Sequence, residues 1–284
     1  MKSTKSLFVF AISLLSFFLA SAQSSIVDTT RIGNNDRAGH FVTFRGINMY
    51  YETYGQGQPL LMIHGNGGSI SNFIYQVPYF ATRYKVIVAD SRAQGRTRDA
   101  GDSLSYEMMA DDFDALLTTL HLDSCYVIGW SDGGINGLLL AIRHPAKVKK
   151  LAITGANLWP DTSAVDPLVH QWAFRYNESL QKVEQTPEIK NTRKVAHLLS
   201  YAPHIPVEQL QKISCPTLVI AGDHDVILTK HTLLIANSIP KSYLWIIPGS
   251  GHSTPIDHKD EFNEAVDHFF STPYKPIEGL DRFN

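Results

Sequence analysis

The chain has 284 residues, of which 44% are hydrophobic and 18% charged, with a formal net charge of −2. That length and composition fit one large α/β domain or two small ones with an ample core. The near-neutral balance argues against a nucleic-acid or anionic-membrane partner.

Met1-Lys2-Ser3-Thr4-Lys5 is a short basic stretch; an almost uninterrupted apolar run over 7–19 and then Ala20-Ser21-Ala22 follow it. These are the three parts of a secretory signal peptide, so cleavage after Ala22 and export to periplasm or medium are predicted, with Gln23 as the first mature residue. A membrane anchor is the competing reading, but the run falls short of the roughly 20 apolar residues a span needs. No cysteine follows the cleavage point, which argues against lipid attachment, and no later segment is long enough to cross a bilayer.

Residues 23–40 are polar and include Asn34-Asn35-Asp36, which predicts a flexible lead. Residues 41–46 and 47–54 read as an antiparallel hairpin turning near Arg45-Gly46. Next comes the apolar strand Pro59-Leu60-Leu61-Met62-Ile63, which runs into His64-Gly65-Asn66-Gly67-Gly68. A further strand is expected over 85–89 and a helix over 106–120. In that helix Met109, Phe113, Leu116, Leu117 and Leu120 repeat at helical spacing, a stripe that packs against a sheet.

The strand Cys125-Tyr126-Val127-Ile128 leads directly into Gly129-Trp130-Ser131-Asp132-Gly133, and an apolar helical stretch follows. A serine between two glycines at a strand-to-helix junction is a nucleophile elbow. The turn is so sharp that Ser131 is expected in a strained conformation with its hydroxyl above the sheet. The helix that follows points its N-terminus at the same place, where negative charge is favoured.

The alternation of strand and helix breaks after residue 155. Residues 157–213 offer short amphipathic pieces with Trp159, Trp172, Phe174, Tyr176 and Tyr201, and no clear buried strand. Alternation then resumes. The strand over 216–221 ends in Gly222-Asp223-His224-Asp225, and the strand over 243–247 ends in Pro248-Gly249-Ser250-Gly251-His252. Such a pattern reads as a mostly parallel sheet flanked by helices. Parallel strands carry their C-terminal ends on one edge, so the elbow, an acid loop and a histidine loop converge there.

Nucleophile, acid and base in this chain order, together with the His64-Gly65-Asn66-Gly67-Gly68 loop, resemble the α/β-hydrolase family from about residue 41 to 271. The resemblance implies an α/β-hydrolase fold with a mostly parallel eight-stranded sheet and a small helical cap, carried by residues 157–213. It implies Ser131 as nucleophile, Asp225 as acid and His252 as base. It also implies an oxyanion hole made by the backbone N–H groups of Asn66 and Asp132. Asp223 competes for the acid role, but the family spacing favours Asp225. His64 is expected to brace its loop, and Asp90, Arg92 and Gly95 to hold another, with Ala93 standing where the family usually has Gly. No metal or cofactor is needed for this chemistry. Cys125 and Cys215 are expected about two strand spacings apart, roughly 9–10 Å, too far for a disulfide.

The elbow Gly129-Trp130-Ser131-Asp132-Gly133-Gly134-Ile135 is similar to that of the biphenyl hydrolase-like (valacyclovir hydrolase) enzymes, whose aspartate after the serine is thought to hold a substrate α-amino group. Asp132, with Trp130 and Trp159, is therefore expected to contact substrate. The alternative is that Asp132 supplies only its N–H and hydrogen-bonds locally. The function expected is cleavage of a small carboxylic ester or amide, an α-amino acid ester being the subgroup's implication. Carbon–carbon bond hydrolysis or lactone opening by the same residues is an alternative, although the oxyanion loop lacks the Gly-Pro pair typical of the carbon–carbon hydrolases. A ligand receptor that keeps the triad is the alternative from another class.

Overall fold

A computed structural model describes residues 27–277 and 279–283, so the signal-peptide expectation for residues 1–22 lies outside the described residues. The strands in chain order are β1 (Gly39–Phe44), β2 (Ile47–Tyr54), β3 (Gln58–Ile63), β4 (Tyr84–Ala89), β5 (Cys125–Trp130), β6 (Val148–Thr154), β7 (Thr217–Gly222) and β8 (Ser242–Ile247). They form one eight-stranded sheet in the order β1-β2-β4-β3-β5-β6-β7-β8. The β1–β2 and β2–β4 pairs are antiparallel, and every pair from β4 to β8 is parallel.

The helices are α1 (Gln76–Phe80), α2 (Tyr106–Thr119), α3 (Asp132–Arg143), α4 (Pro167–Gln181), α5 (Pro187–Tyr201), α6 (Thr229–Ser238), α7 (Thr254–Asp257) and α8 (Lys259–Ser271). Side chains alternate across a strand, so each central strand feeds two cores. Leu61, Ile63, Cys125 and Val127 pack on one face with residues of α2, α3 and α6. Leu60, Met62, Ile128 and the flank of Trp130 pack on the other face with α1 and α8. The predicted stripe of α2 is buried at Met109, Phe113, Leu116 and Leu117. Each such side chain contributes roughly 1.5–3 kcal/mol by leaving water. Cys125 and Cys215 are both free and buried; Cys125 begins β5, Cys215 just precedes β7, and β6 lies between those strands. Burial pushes their thiols up, to about 12 and about 11, so neither is a ready thiolate.

Two expectations need correction. The described part of the N-terminal lead is tied down. Asp28 caps a single 3-10 turn, Thr29–Arg31, and Ile32 is buried in the core. The anchor is Glu52, fully buried on β2, which accepts hydrogen bonds from Gly33 N (2.9 Å), Asn35 N (2.9 Å), Tyr50 Oη (2.7 Å) and Tyr54 Oη (2.7 Å). Burial and the neighbouring carboxylate hold both phenols above their ordinary range. Glu52→Ala would leave four donors without this acceptor, an expected loss of about 3–5 kcal/mol in urea unfolding. Proteolytic cleavage within residues 27–38 should speed up in the same variant.

The second correction concerns the cap. In place of short pieces it carries α4 and α5, each 15 residues long. Asp166 accepts from the N–H groups of Leu168 and Val169, Thr186 from that of Ile189, and Pro167 and Pro187 open the two helices. Cap side chain followed by proline is a strong start signal. Leu210 and Ile213, within and just after the 3-10 turn Val207–Lys212, are fully buried in the main core.

Candidate active site

Strand β5 ends at Trp130, helix α3 begins at Asp132, and Ser131 makes the whole turn between them with φ 57° and ψ −120°. A non-glycine residue held at positive φ with ψ this negative costs of order 1–3 kcal/mol. The surroundings enforce it: Ser131 N donates to Thr154 O (2.8 Å), and Ser131 O accepts from Gly134 N (2.7 Å). A Cβ at Gly129 would strike the Gly133 carbonyl, and one at Gly133 would strike the Ile63 carbonyl. Strand and helix meet this closely only because both positions lack a side chain.

Three loops at the C-terminal edge of the sheet bring the predicted triad together. His252 Nε2 lies 2.9 Å from Ser131 Oγ, and His252 Nδ1 lies 2.7 Å from Asp225 Oδ1. The Asp225 side chain is fully buried, and its Oδ1 also accepts from Ile227 N at 2.9 Å. A carboxylate at Nδ1 demands the tautomer with the proton there, which leaves the Nε2 lone pair facing the serine hydroxyl. Asp223 sits apart from this chain. Its Oδ1 meets His224 Nδ1 (2.8 Å) and accepts from Ser250 N (3.1 Å), bracing the loop that carries His252. The His224 hydrogen bond, then the backbone N–H groups of Gly249 and Ser250, hold the Asp223 carboxyl down at about 2.

Gly155 was not singled out by sequence reasoning. Its φ is +65°, and a Cβ there would lie 2.6 Å from His252 Cε1, so the imidazole occupies the space the missing side chain leaves. The only sequence signal was a glycine ending an apolar strand.

The oxyanion loop adjoins the serine. A Cβ at Gly65 would lie 3.1 Å from Ser131 Cβ. His64 braces the loop as expected: Nδ1–H donates to Gly65 O (2.8 Å) and Nε2 accepts from Ser91 N (3.0 Å), and burial lowers its pKa so that the ring is neutral. Asp90 and Arg92 likewise hold structure. Asp90 accepts from Ile70 N (2.9 Å) and Arg96 N (2.7 Å), and Arg92 binds Asp112 with two nitrogens (2.6 and 2.8 Å) and Asp99 with a third (3.0 Å). Ala93 adopts φ 65°, the left-handed region, where the family usually has glycine.

As the first residue of α3, Asp132 offers a backbone N–H that no carbonyl within the helix can take. Its side chain differs from the substrate-contact expectation. The carboxylate is buried, with Oδ2 accepting from Asn66 Nδ2 (2.8 Å) and with the Tyr106 side chain nearby. It is thus engaged by a protein donor, as the local alternative anticipated. Trp130 is also placed otherwise: its flank packs on the α1–α8 face and Nε1 donates to His252 O (2.9 Å), positioning the histidine loop. Trp159, at the start of the cap, donates from Nε1 to Ser163 Oγ (2.7 Å) and meets the His231 ring edge-on at 4.6 Å. A cavity of about 220 Å³ opens beside Asn66 and Gly67, bounded by Gln94, Arg98 and residues of α5. A larger one, about 490 Å³, lies between β8, α8 and the C-terminal tail, and none of the triad lines it.

Burial pushes the Asp132 carboxyl up to about 6, against the opposing hydrogen bond from Asn66, the Tyr106 hydroxyl and the charge of His252. An unfolded aspartic acid titrates near 3.9, so the folded chain binds this proton more tightly. Its contribution to stability is therefore fully present below about pH 4 and is lost as pH rises through the folded value. Asp132→Asn cannot titrate. Relative to wild type it should gain about 1–3 kcal/mol on going from pH 4 to pH 8, read by urea unfolding of both proteins at both pH values.

Residues 58–183 match the family described as alpha/beta hydrolase fold. The serine hydrolase BPHL of Homo sapiens is 26% identical over 80% of this chain and 84% of its own length. The 2-hydroxymuconate semialdehyde hydrolase of Pseudomonas sp. (strain CF600) is 26% identical over 84% of this chain and 95% of its own length. Among solved structures, a hydrolase from Pseudomonas aeruginosa PA01 aligns with a TM-score of 0.73 at 20% identity, over 84% of this chain and 100% of that one. Sheet order, the strained turn at Ser131 and these relatives agree: the chain has the α/β-hydrolase fold, its residues 58–183 match that family, and the serine hydrolase BPHL is similar to it.

Proposed function

We propose that this chain is an exported serine hydrolase that cleaves a small carboxylic ester or amide through an acyl-enzyme. The observation that carries the reading is the unbroken hydrogen-bond chain Ser131–His252–Asp225, 2.9 and 2.7 Å, at the strained turn. A serine hydroxyl is a weak nucleophile at neutral pH and needs a base as it attacks. His252 Nε2 takes the Ser131 proton while Oγ bonds to the carbonyl carbon, and Asp225 stabilises the imidazolium that results. The tetrahedral oxyanion sits between the N–H groups of Asn66 and Asp132, each such donor contributing about 3–4 kcal/mol. As the intermediate collapses, His252 hands its proton to the leaving alcohol or amine. Water, activated by the same histidine, then attacks the acyl-enzyme and frees the carboxylic acid and Ser131.

Export rests on the basic stretch, apolar run and Ala20-Ser21-Ala22 of the leader. N-terminal sequencing of protein from the cell envelope or medium should read from Gln23; an intact Met1 on cytoplasmic protein would overturn it. The substrate class is tested with a fluorophosphonate probe followed by a panel of acyl esters, α-amino esters and lactones, with a ring-fission diketone alongside. Steady turnover of simple esters supports the reading, while turnover of the diketone alone would move it to carbon–carbon hydrolysis. The α-amino ester preference requires a carboxylate open to substrate, and the paired, buried Asp132 speaks for a simple acyl ester instead. Slow single-turnover modification without release would point to a receptor.

A further inference from the structure

We propose that the Asp132 carboxylate is a positioning residue for the oxyanion hole: by accepting the Asn66 carboxamide it fixes the backbone of residue 66 against the elbow. The inference rests on the serine-hydrolase reading and adds a role to a side chain that the mechanism above does not use.

The loop that must present the Asn66 N–H is intrinsically loose. Gly65 precedes Asn66, Gly67 and Gly68 follow it, and Gly67 takes φ +64°. Glycine loses more conformational freedom on ordering than any other residue, so such a loop holds one shape only if it is anchored from outside. His64 anchors it on one side and Gln94 Oε1, accepting from Gly67 N at 2.7 Å, on the other. Between these points the sole side chain is that of Asn66, and both hydrogens of its amide are committed. One goes to Asp132 Oδ2 (2.8 Å), on the first residue of α3, and one to Val195 O (3.0 Å), on cap helix α5. The two residues whose N–H groups would bind the oxyanion are thereby tied to each other through their side chains, with the cap as a third point.

Burying a carboxylate is costly unless it is hydrogen-bonded, and Asp132 has that support from Asn66. Asp132 is itself buried as the first residue of α3, so the acceptor sits on a rigid element.

The test separates hydrogen-bond acceptance from charge, using p-nitrophenyl acetate, an uncharged ester. A displacement of about 1 Å at a reacting centre costs on the order of 100-fold, so Asp132→Ala should lower kcat by about that factor and leave KM near its wild-type value. Asn66→Ala should lose about as much, and the double variant should be little worse than either single one, because both remove one interaction. Asp132→Asn keeps an acceptor oxygen for Asn66 and should recover about tenfold of what alanine loses. In folded Asn66→Ala, amide hydrogen exchange should accelerate both at residues 65–68 and in α5 around Val195. Wild-type kcat in Asp132→Ala, losses that add in the double variant, an asparagine no better than alanine, or unchanged exchange would each overturn the proposal. Should Asp132→Ala not fold, Asn66→Ala carries the same comparison, since it removes the same hydrogen bond from the other side. Failure of the underlying reading looks different: wild-type protein would not label with fluorophosphonate, or Ser131→Ala would turn over the ester.

Discussion

Ser131→Ala is expected to lower ester turnover by about 10⁵–10⁶-fold and to abolish fluorophosphonate labelling, the loss typical of removing a nucleophile from a serine triad. Among the described residues the side chain makes one polar contact, 2.9 Å to His252 Nε2, and that contact lies in the site and not in the core. Backbone bonds to Thr154, Gly134 and Ile135 hold the elbow, and alanine keeps all of them. The variant should therefore stay within about 1 kcal/mol of wild type in stability. A folded Ser131→Ala protein that still labels or turns over ester would end the acyl-enzyme mechanism.

Asp225→Asn should cost about 10⁴ in kcat, because an amide at His252 Nδ1 favours the tautomer with its proton on Nε2, facing the serine. Asp223→Asn should cost less than about tenfold, since that carboxylate touches His224 and the Ser250 N–H and only braces the loop. The two aspartates are two residues apart in one turn, yet one is fully buried against the imidazole and the other faces solvent beside His224. Rates of p-nitrophenyl acetate hydrolysis by both variants decide it. The reverse ranking would mean that the carboxylate acting on His252 in solution is not the one paired with it in the structure.

The elements that local chemistry dictates were legible in the chain. Strands β3, β5, β7 and β8 each end in the loop expected of them, and glycines at 129 and 133 specify a turn that no other residue fits. The order Ser131, Asp225, His252 is a property of the sequence itself. Once the strands are parallel, it places all three on one sheet edge. The starts of α4 and α5 were also written there, in Asp166-Pro167 and Thr186-Pro187, although aromatic scatter within the insertion hid the 15-residue helices that follow.

What only the tertiary structure decided is where side chains point once distant segments meet. Nothing near Glu52 in the chain announces that its carboxylate gathers the backbone of Gly33 and Asn35; β2 must first be buried beside the lead. Gly155 matters because His252, 97 residues further on, fills its missing Cβ position. Asp132 could be read from sequence as either an ammonium site or a local acceptor, and only packing lays the Asn66 amide against its Oδ2. Trp130 was assigned to the substrate, whereas the two-residue period of β5 turns it to the opposite face, toward the backbone of His252. Periodicity and turn chemistry act over a few residues and so are written locally. Contacts between loops from separate strands depend on register and approach distance, which exist only after the sheet has formed.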